Sequence, residues 1–307
     1  MSLRRFRQTA IVTLVGLCLL VVAGGVVRLT GSGLGCDDWP NCNSERFVDV
    51  SSAHTAIEQI NRLVSVLLGI PVVIMAIGSF RVRPRGHRLI APSLIVLISV
   101  LANGVVGGIA VRGDLHPALI QSHFLLAMVS ITFALIAADR ARPATTGEAA
   151  TPPSIRLQVW LVGVLTGLAL VTGTVVTGTG PHAGDEEARR WGFDISNVAR
   201  IHSVSVLVTL VAAVILIWSI RGNVEFRGRL MSPLSTWMFL ALLQGGIGYL
   251  QYFNGVPELL VGAHIAGATA LWVATVQLVL AAIDQTVTGS AIDTADHIQV
   301  STSAGTG

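Results

Sequence analysis

Charged side chains are scarce in this sequence, and lysine is absent. Only 12% of the 307 residues are charged, whereas 52% are hydrophobic and the mean hydropathy is +0.71. This composition excludes a soluble domain of this length. The net charge of +3 is small and gives no indication of nucleic-acid binding. The composition therefore indicates an integral membrane protein.

Eight apolar stretches are long enough to cross a bilayer, which takes roughly 20 residues in a helix. They occupy approximately 8–28, 56–80, 89–111, 118–138, 157–177, 198–220, 233–253 and 259–283. No small-residue cleavage site follows the first stretch, so we expect a membrane helix there and not a signal peptide. The sequence predicts an all-α integral membrane protein with eight transmembrane helices.

Because the chain has no lysine, its orientation must be read from arginine. Thirteen arginines lie in the loops and terminus on one side of the predicted membrane, and five lie on the other side. The positive-inside rule places the richer side in the cytoplasm, and both termini with it. The expected location is a bacterial plasma membrane.

The two halves of the chain resemble each other. The external connections 29–49 and 177–197 each follow a glycine-rich helix end, and the Gly-Gly-Ile-Ala segment before His123 matches Gly-Gly-Ile-Gly before His264. Four spans are an even number, so both copies cross in the same sense and form two parallel four-helix-bundle repeats. The predicted units are an N-terminal half 1–139, a cytoplasmic linker 140–156, a C-terminal half 157–283 and a cytoplasmic, disordered tail 284–307.

Four positions near the outer ends of the even-numbered spans are those of heme ligands. Asn61 and His123 lie in the first half, and His202 and His264 follow 141 positions later. A histidine inside a membrane is costly unless it binds or pairs with something. If even-numbered helices pack side by side, His202 and His264 face each other and ligate a heme iron from both sides. A hydrogen-bonded packing role is the alternative for each histidine.

The first half differs by carrying a carboxylate. His54, Glu58 and Asn61 follow i, i+4, i+7 spacing and share one helix face. A carboxyl group beside a heme is a candidate for proton transfer. Alternatively, Glu58 is structural and bonds to Arg62 or to a neighbouring helix.

Two further groups near the ligand positions each allow two interpretations. Arg62 and Arg200 are placed to pair with heme propionates, or they extend to water. Glycines in the third and seventh spans allow a flat macrocycle to approach, or they simply let helices pack closely. These glycines are Gly104, Gly107, Gly108, Gly245, Gly246 and Gly248.

Three cysteines are present. Cys36 and Cys42 bracket a short loop on the predicted outer face, where an oxidising compartment favours a disulfide over two free thiols. Cys18 lies within the first span and is expected to be an ordinary apolar residue.

With these residues in place, the chain resembles the heme A synthase family over roughly residues 8–283. The segments that carry the resemblance are Thr30-Gly31-Ser32-Gly33-Leu34-Gly35-Cys36, Asp38-Trp39-Pro40, Cys42, Glu58-x-x-x-Arg62 and the histidines 123, 202 and 264. The resemblance implies oxidation of a methyl group of heme O to a formyl group by successive hydroxylations, which yields heme A for terminal oxidases.

The resemblance also implies roles for single residues. His202 and His264 would ligate heme b, His123 would face the substrate heme, and Glu58 would be the catalytic carboxylate. The family usually has Glu-x-x-His-Arg where this chain has Asn61. Either His123 alone holds the substrate iron, with Asn61 as a hydrogen-bonding neighbour, or His54 replaces the missing histidine.

The expected partners are heme O, a heme O synthase that hands it over, an unidentified electron donor and the lipid bilayer. The main rival function is a b-type cytochrome subunit that exchanges electrons with quinone and leaves its heme unchanged. A transporter is a third hypothesis, favoured only by the repeat.

Overall fold

The computed structural model describes residues 1–82, 86–142, 151–222 and 224–283. Within these ranges the chain is helical, and eight helices are long and apolar enough to cross a membrane. They are α1 Leu3–Leu29, α2 Ala53–Ser79, α3 Gly86–Arg112, α4 Pro117–Arg140, α5 Pro153–Thr179, α6 Ile195–Ile220, α7 Val224–Phe253 and α8 Glu258–Ala282. The predicted all-helical membrane fold is confirmed.

The observed helices extend beyond the predicted apolar stretches, most of all at α7. This helix begins at Val224, nine positions before the predicted span, and includes Pro233. Hydropathy locates the part of a helix that lies in hydrocarbon, whereas the hydrogen-bonded helix continues into the polar region. The predicted span therefore marked the apolar part of α7 and missed its first two turns.

Each half of the chain forms a closed ring of four helices. In the first half α1 contacts α2, α2 contacts α3, α3 contacts α4, and α4 returns to α1. In the second half α5, α6, α7 and α8 make the same set of contacts. Each ring has its own apolar core of buried residues. The same pairings thus occur twice, while the parallel relation of the two halves stays a prediction.

The expectation that even-numbered helices pack side by side is wrong. Among the described residues α2 makes no contact with α4, and α6 makes none with α8. Consecutive helices run antiparallel and pack as neighbours, so alternate helices fall at opposite corners of the ring. Side chains of α6 and α8 that point inward therefore face each other across the interior of the bundle.

The two rings meet through α1, α4, α5 and α8. The indole Nε1 of Trp272 in α8 donates to the hydroxyl of Thr132 in α4 at 2.9 Å, and it lies 3.2 Å from the carbonyl of Met128. This bond crosses the boundary between the halves near the middle of the membrane. It satisfies a polar group that lipid would leave unpaired.

The outer surface of the rings is apolar, as contact with lipid requires. Val66 is 73% exposed and Leu259 is 85% exposed. Tyr249 and Tyr252 are exposed near one end of α7, and Trp218 lies near the end of α6 that faces the other membrane surface. Aromatic residues at these two levels are typical of membrane interfaces. The chain is a multi-pass membrane protein.

Four connections lie at one end of the structure, which we call the outer end. They are residues 30–52, 113–116, 180–194 and 254–257. We call residues 30–52 the Cys loop and residues 180–194 the second outer loop. Residues 143–150 of the predicted linker 140–156 and the entire predicted tail 284–307 lie outside the described residues.

Candidate functional site

His202 and His264 are brought together inside the C-terminal ring. They lie seven and six residues into α6 and α8, which is about 10 and 9 Å from the outer helix ends. The imidazoles of His202 and His264 are close enough to interact electrostatically. Two imidazoles that face each other across a helical bundle provide the donor set of a bis-histidine heme site.

The Nδ1 atoms of these histidines differ in their surroundings. His202 Nδ1 lies 3.1 Å from the hydroxyl of Thr172 in α5, which is also 3.1 Å from the hydroxyl of Ser205. His264 Nδ1 is buried and has no hydrogen-bond partner among the described residues. A histidine that binds metal through Nε2 normally donates its Nδ1–H, so Thr172 provides an acceptor for His202.

The N-terminal ring carries a single histidine at this level. His123 lies six residues into α4, and its Nδ1 is buried without a hydrogen-bond partner in the described part of the chain. Asn61 of α2 occupies the position that corresponds to His202, and its Oδ1 is also buried and unpaired there. An amide is a poor iron ligand, so the structure offers one imidazole here and two in the other ring.

Glu58 of α2 is buried, with 5% of its surface exposed, and both carboxylate oxygens are bonded. Oε2 accepts the backbone N–H of Cys36 at 2.7 Å. Oε1 accepts Nε and Nη2 of Arg62 at 3.0 and 2.5 Å. A buried ion pair of this kind is stable only when such additional hydrogen bonds satisfy it.

Arg62 joins this carboxylate to the Cys loop. Its Nη1 donates to the carbonyls of Asp38 and Asn41 at 3.0 and 3.1 Å. Arg62 therefore donates its hydrogen bonds to Glu58 and to the Cys loop. From the sequence, a heme propionate was considered as its partner. Arg200, at the outer end of α6, is exposed and lies 3.4 Å from the side-chain oxygen of Asn197.

Cys36 and Cys42 form a disulfide, as the sequence predicted, and both residues are buried. The side-chain oxygen of Gln59 lies 3.7 Å from the Cys36 sulfur. A disulfide sulfur carries no hydrogen, so this is a packing contact. The buried disulfide therefore rests on the first two turns of α2.

The Cys loop is also fixed to α3. The Trp39 ring lies against Gly108, where a side chain would collide with it. Arg112 makes a 3.0 Å ion pair with Asp38 and also donates to the Trp39 carbonyl. The Trp39 backbone N–H, followed by the Arg112 guanidinium, lowers the pKa of Asp38. Asp38 thus stays ionised at neutral pH, and this link is lost only as the pH falls into the acid range.

His54 also fixes the Cys loop, in this case to α2. It is exposed in the first turn of α2, and its Nδ1 lies 3.0 Å from the Ser32 hydroxyl of the Cys loop. Its carbonyl lies against Gly35, so closely that any side chain there would clash. These contacts favour a role in holding the loop over the alternative role of a replacement ligand.

The two halves share one outer cover, a feature that sequence reasoning missed. Arg28 at the end of α1 donates to the carbonyls of His182 and Thr177 at 2.5 and 2.7 Å. The Gly33 N–H donates to the Gly184 carbonyl at 2.8 Å, and the buried Leu115 side chain lies against both glycines. An arginine at the very end of an apolar span was the available signal for the first contact, but no sequence pattern indicated its partners.

One apolar cavity of about 380 Å³ lies elsewhere, between α1, α7 and α8. Its lining includes Cys18, Leu240 and Ala270 and none of the histidines. It is a crevice on the lipid-facing side and is separate from the histidine sites.

The fold and the histidine positions define a multi-pass helical membrane protein with the donor set of a heme protein. A model of the cytochrome oxidase assembly protein family, COX15-CtaA, matches residues 7–55 and 47–184. Together these segments make up more than half of the 307 residues, and the chain belongs to this family. The family resemblance read from the sequence is confirmed.

Curated relatives carry the name heme A synthase. The chain is 29% identical to that of Alkalihalophilus pseudofirmus over 129 residues, which is 42% of this chain and 43% of the relative. It is 29% and 28% identical to those of Bacillus cereus and Bacillus anthracis over 134 residues, in each case 43% of both chains. The match thus spans less than half the length of these relatives.

The family match and the site overlap only in part. Residues 7–184 contain the Cys loop, Glu58 and His123, whereas His202 and His264 lie beyond the matched segment. The assignment of the C-terminal pair therefore depends on the structure and on the internal correspondence of the two halves.

The disulfide predicts a specific labelling pattern in a Cys18→Ala background, which leaves only Cys36 and Cys42. Because both cysteines are buried, a membrane-impermeant maleimide is applied to the outer face together with urea, and it is expected to label neither cysteine before reduction and both after reduction, since the bond consumes both thiols. The readout is the mass of the labelled protein.

The variant with Cys18 alone, made by replacing Cys36 and Cys42 with serine, is the control and should stay unlabelled by the impermeant reagent. Labelling of the loop cysteines without reductant would contradict the disulfide. Labelling only after the membrane is opened would contradict the outer location of the loop.

Proposed function

We propose that this protein is a heme A synthase, an enzyme that converts a methyl group of heme O into a formyl group by two successive hydroxylations. The observation that carries the proposal is the asymmetry of its two rings. One ring has a facing histidine pair, and the other has one histidine, an unpaired buried amide and a buried carboxylate under a disulfide loop. The family and the named relatives support this assignment.

In the C-terminal ring, His202 and His264 would hold a heme b. The residues fit such a group, because the donor set is a pair of imidazoles at similar depth on opposite helices of the ring. Gly173 and Gly248 of the adjacent helices lie against the imidazoles of His202 and His264, respectively. Arg200 is exposed at the outer level and is available to a heme propionate.

In the N-terminal ring, His123 would hold the substrate heme O. The Asn61 Oδ1 of this ring is buried without a partner, which fits a site completed by a bound molecule. Because Asn61 does not ligate iron, the substrate iron would keep one coordination position free on that side. Asn61 would act as a hydrogen-bonding neighbour of that position.

Bound hemes supply redox-active iron, and the protein supplies position and proton transfer. We assign proton transfer to Glu58, at Oε2. This oxygen is held by a backbone N–H, whereas Oε1 is fixed by the Arg62 guanidinium. Arg62 keeps the carboxylate oriented and, through the loop carbonyls, keeps the Cys loop over the site. In this proposal His54 and Arg62 act on the loop and do not contact the iron.

The cellular context follows from the same proposal. The enzyme would lie in a bacterial plasma membrane with both termini in the cytoplasm. It would receive heme O from a heme O synthase and electrons from a separate donor. A b-type cytochrome subunit for quinone-linked electron transfer is the second candidate, favoured by the facing pair His202 and His264.

Co-expression with a heme O synthase tests the reaction itself. Hemes extracted with acid from the purified protein are expected to include heme A and heme b by mass analysis, since the proposed reaction replaces a methyl group with a formyl group. Cells that carry the heme O synthase alone are the control and should contain heme O without heme A. Recovery of heme b alone would favour the cytochrome, and heme O without heme A would contradict the synthase.

Glu58→Gln tests the carboxylate. The amide keeps the shape and can still accept the Cys36 N–H, but it cannot take up a proton at Oε2. We expect heme A formation to fall by about 100-fold or more, the usual contribution of general acid–base catalysis. The spectrum of the bis-histidine heme should remain.

The matched control for this variant is Glu45→Gln, which removes an exposed carboxylate of the same loop and should leave heme A formation unchanged. Thiol labelling of Cys36 and Cys42 in Glu58→Gln checks whether the loop keeps its disulfide. Normal heme A formation in Glu58→Gln, or loss of the bis-histidine spectrum, would show that Glu58 is a structural residue.

Asn61→His tests the free coordination position. An imidazole here would add a second ligand opposite His123, so the high-spin ferric signal in electron paramagnetic resonance should be replaced by a low-spin signal. Asn61→Gln keeps the amide and should retain the high-spin signal. A wild-type protein that holds two hemes and shows only low-spin signals would rule out the one-histidine site.

A further inference from the structure

Each of the three membrane histidines lies against a glycine of the preceding helix. A Cβ atom built on Gly107 would lie 3.1 Å from Cε1 of His123, and one on Gly173 would lie 3.1 Å from Cε1 of His202. On Gly248 it would lie 3.3 Å from Cε1 of His264. In every case the nearest atom is Cε1, so the same edge of each imidazole faces the helix backbone.

The nitrogen atoms of the rings show the same orientation. The hypothetical Cβ atoms of Gly107 and Gly248 are 3.4 and 3.9 Å from Nδ1 of their histidines, and Nε2 is not among the atoms within 4 Å. At Gly173 the corresponding distances are 3.5 Å to Nδ1 and 3.7 Å to Nε2. Nδ1 therefore faces the neighbouring helix in all three, and Nε2 lies farther from it.

Because glycine has no Cβ, the imidazole can also approach the backbone of the preceding helix. The carbonyl of Asn103, four residues before Gly107, interacts with the His123 ring, and the carbonyl of Ala169, four residues before Gly173, interacts with the His202 ring. At His123 the two groups are near each other without forming a hydrogen bond, because Nδ1 has no partner among the described residues. A backbone carbonyl near Nδ1 favours the tautomer with the proton on Nδ1, which leaves the Nε2 lone pair available.

We propose that Gly107, Gly173 and Gly248 are positioning residues that set the rotation of the three imidazoles and direct Nε2 toward the bundle interior. This inference rests on the proposed function, because it assigns the imidazoles to heme iron. The glycines themselves touch the ligands and not the iron. A side chain at these positions would displace the ring by a few tenths of an ångström, since contacts of 3.1 to 3.3 Å are tighter than a methyl group normally makes.

Gly24, the glycine of the N-terminal half that corresponds to Gly173, is an internal control. Gly24 of α1 corresponds to Gly173, because Gly-Gly-Val-Val before Arg28 matches Gly-Thr-Val-Val in α5. The histidine is replaced by Asn61 in this part of the N-terminal ring, and a Cβ on Gly24 would meet nothing within 4 Å. A glycine crowded by a ring thus occurs where the facing ligand is histidine and not where it is asparagine.

The test compares Gly173→Ala and Gly248→Ala with Gly24→Ala in the full-length protein loaded with heme. We expect the first two variants to shift the low-spin electron paramagnetic resonance signal and the midpoint potential of the bis-histidine heme, because both depend on the orientation of the axial imidazoles. Gly24→Ala should leave both unchanged. Alanine is the better helix former, so a loss of helix stability does not explain such a shift.

Failure of the positioning role can be distinguished from failure of the proposed heme site. Wild-type protein without a low-spin bis-histidine signal would contradict the proposed heme site itself. A normal wild-type signal that stays unchanged in both Gly173→Ala and Gly248→Ala would overturn the positioning role and leave the heme site standing. Should Gly173→Ala fail to retain heme, Gly248→Ala decides, because its contact of 3.3 Å is the less crowded one.

Discussion

The buried ion pair between Glu58 and Arg62 holds the outer part of the N-terminal half together. The carboxylate binds the Cys36 N–H, and the guanidinium binds the carbonyls of Asp38 and Asn41. A charge left without its partner at this depth would be strongly unfavourable, so the two side chains and the Cys loop form one unit. The disulfide between Cys36 and Cys42 closes the segment that contains these carbonyls.

This arrangement gives Glu58 a structural and a chemical aspect at the same time. A carboxylate whose two oxygens are held differently, one by a cation and one by a backbone N–H, is oriented before any substrate arrives. Protonation of Oε2 would directly weaken its hydrogen bond with the Cys36 N–H. Glu58 thereby links the Cys loop to α2, and the hydrogen bond from Gly33 to Gly184 links the same loop to the second half.

The two helical rings differ at one position, which is His202 in one and Asn61 in the other. His202 completes a facing pair with His264, whereas Asn61 leaves His123 as the single imidazole of the other ring. The repeat provides the same helical framework for both, and the local chemistry differs because an amide cannot replace an imidazole as an iron ligand. The glycine contacts follow the same division, since Gly24 faces open space where Gly173 is crowded by a histidine ring.

The sequence by itself determined the helices, the disulfide pair and the depth of the histidines, because apolar length and cysteine placement are local properties of the chain. It did not reveal that even-numbered helices lie at opposite corners. Nor did the two Gly-Gly-Ile segments show which glycine contacts each histidine, since His123 lies against the first glycine of its segment, Gly107, whereas His264 lies against Gly248, which follows Gly-Gly-Ile. Only the tertiary structure decided the backbone partners of Arg28, Glu58 and Arg62, because backbone carbonyls and N–H groups form hydrogen bonds whatever their side chains are and leave no trace in a sequence.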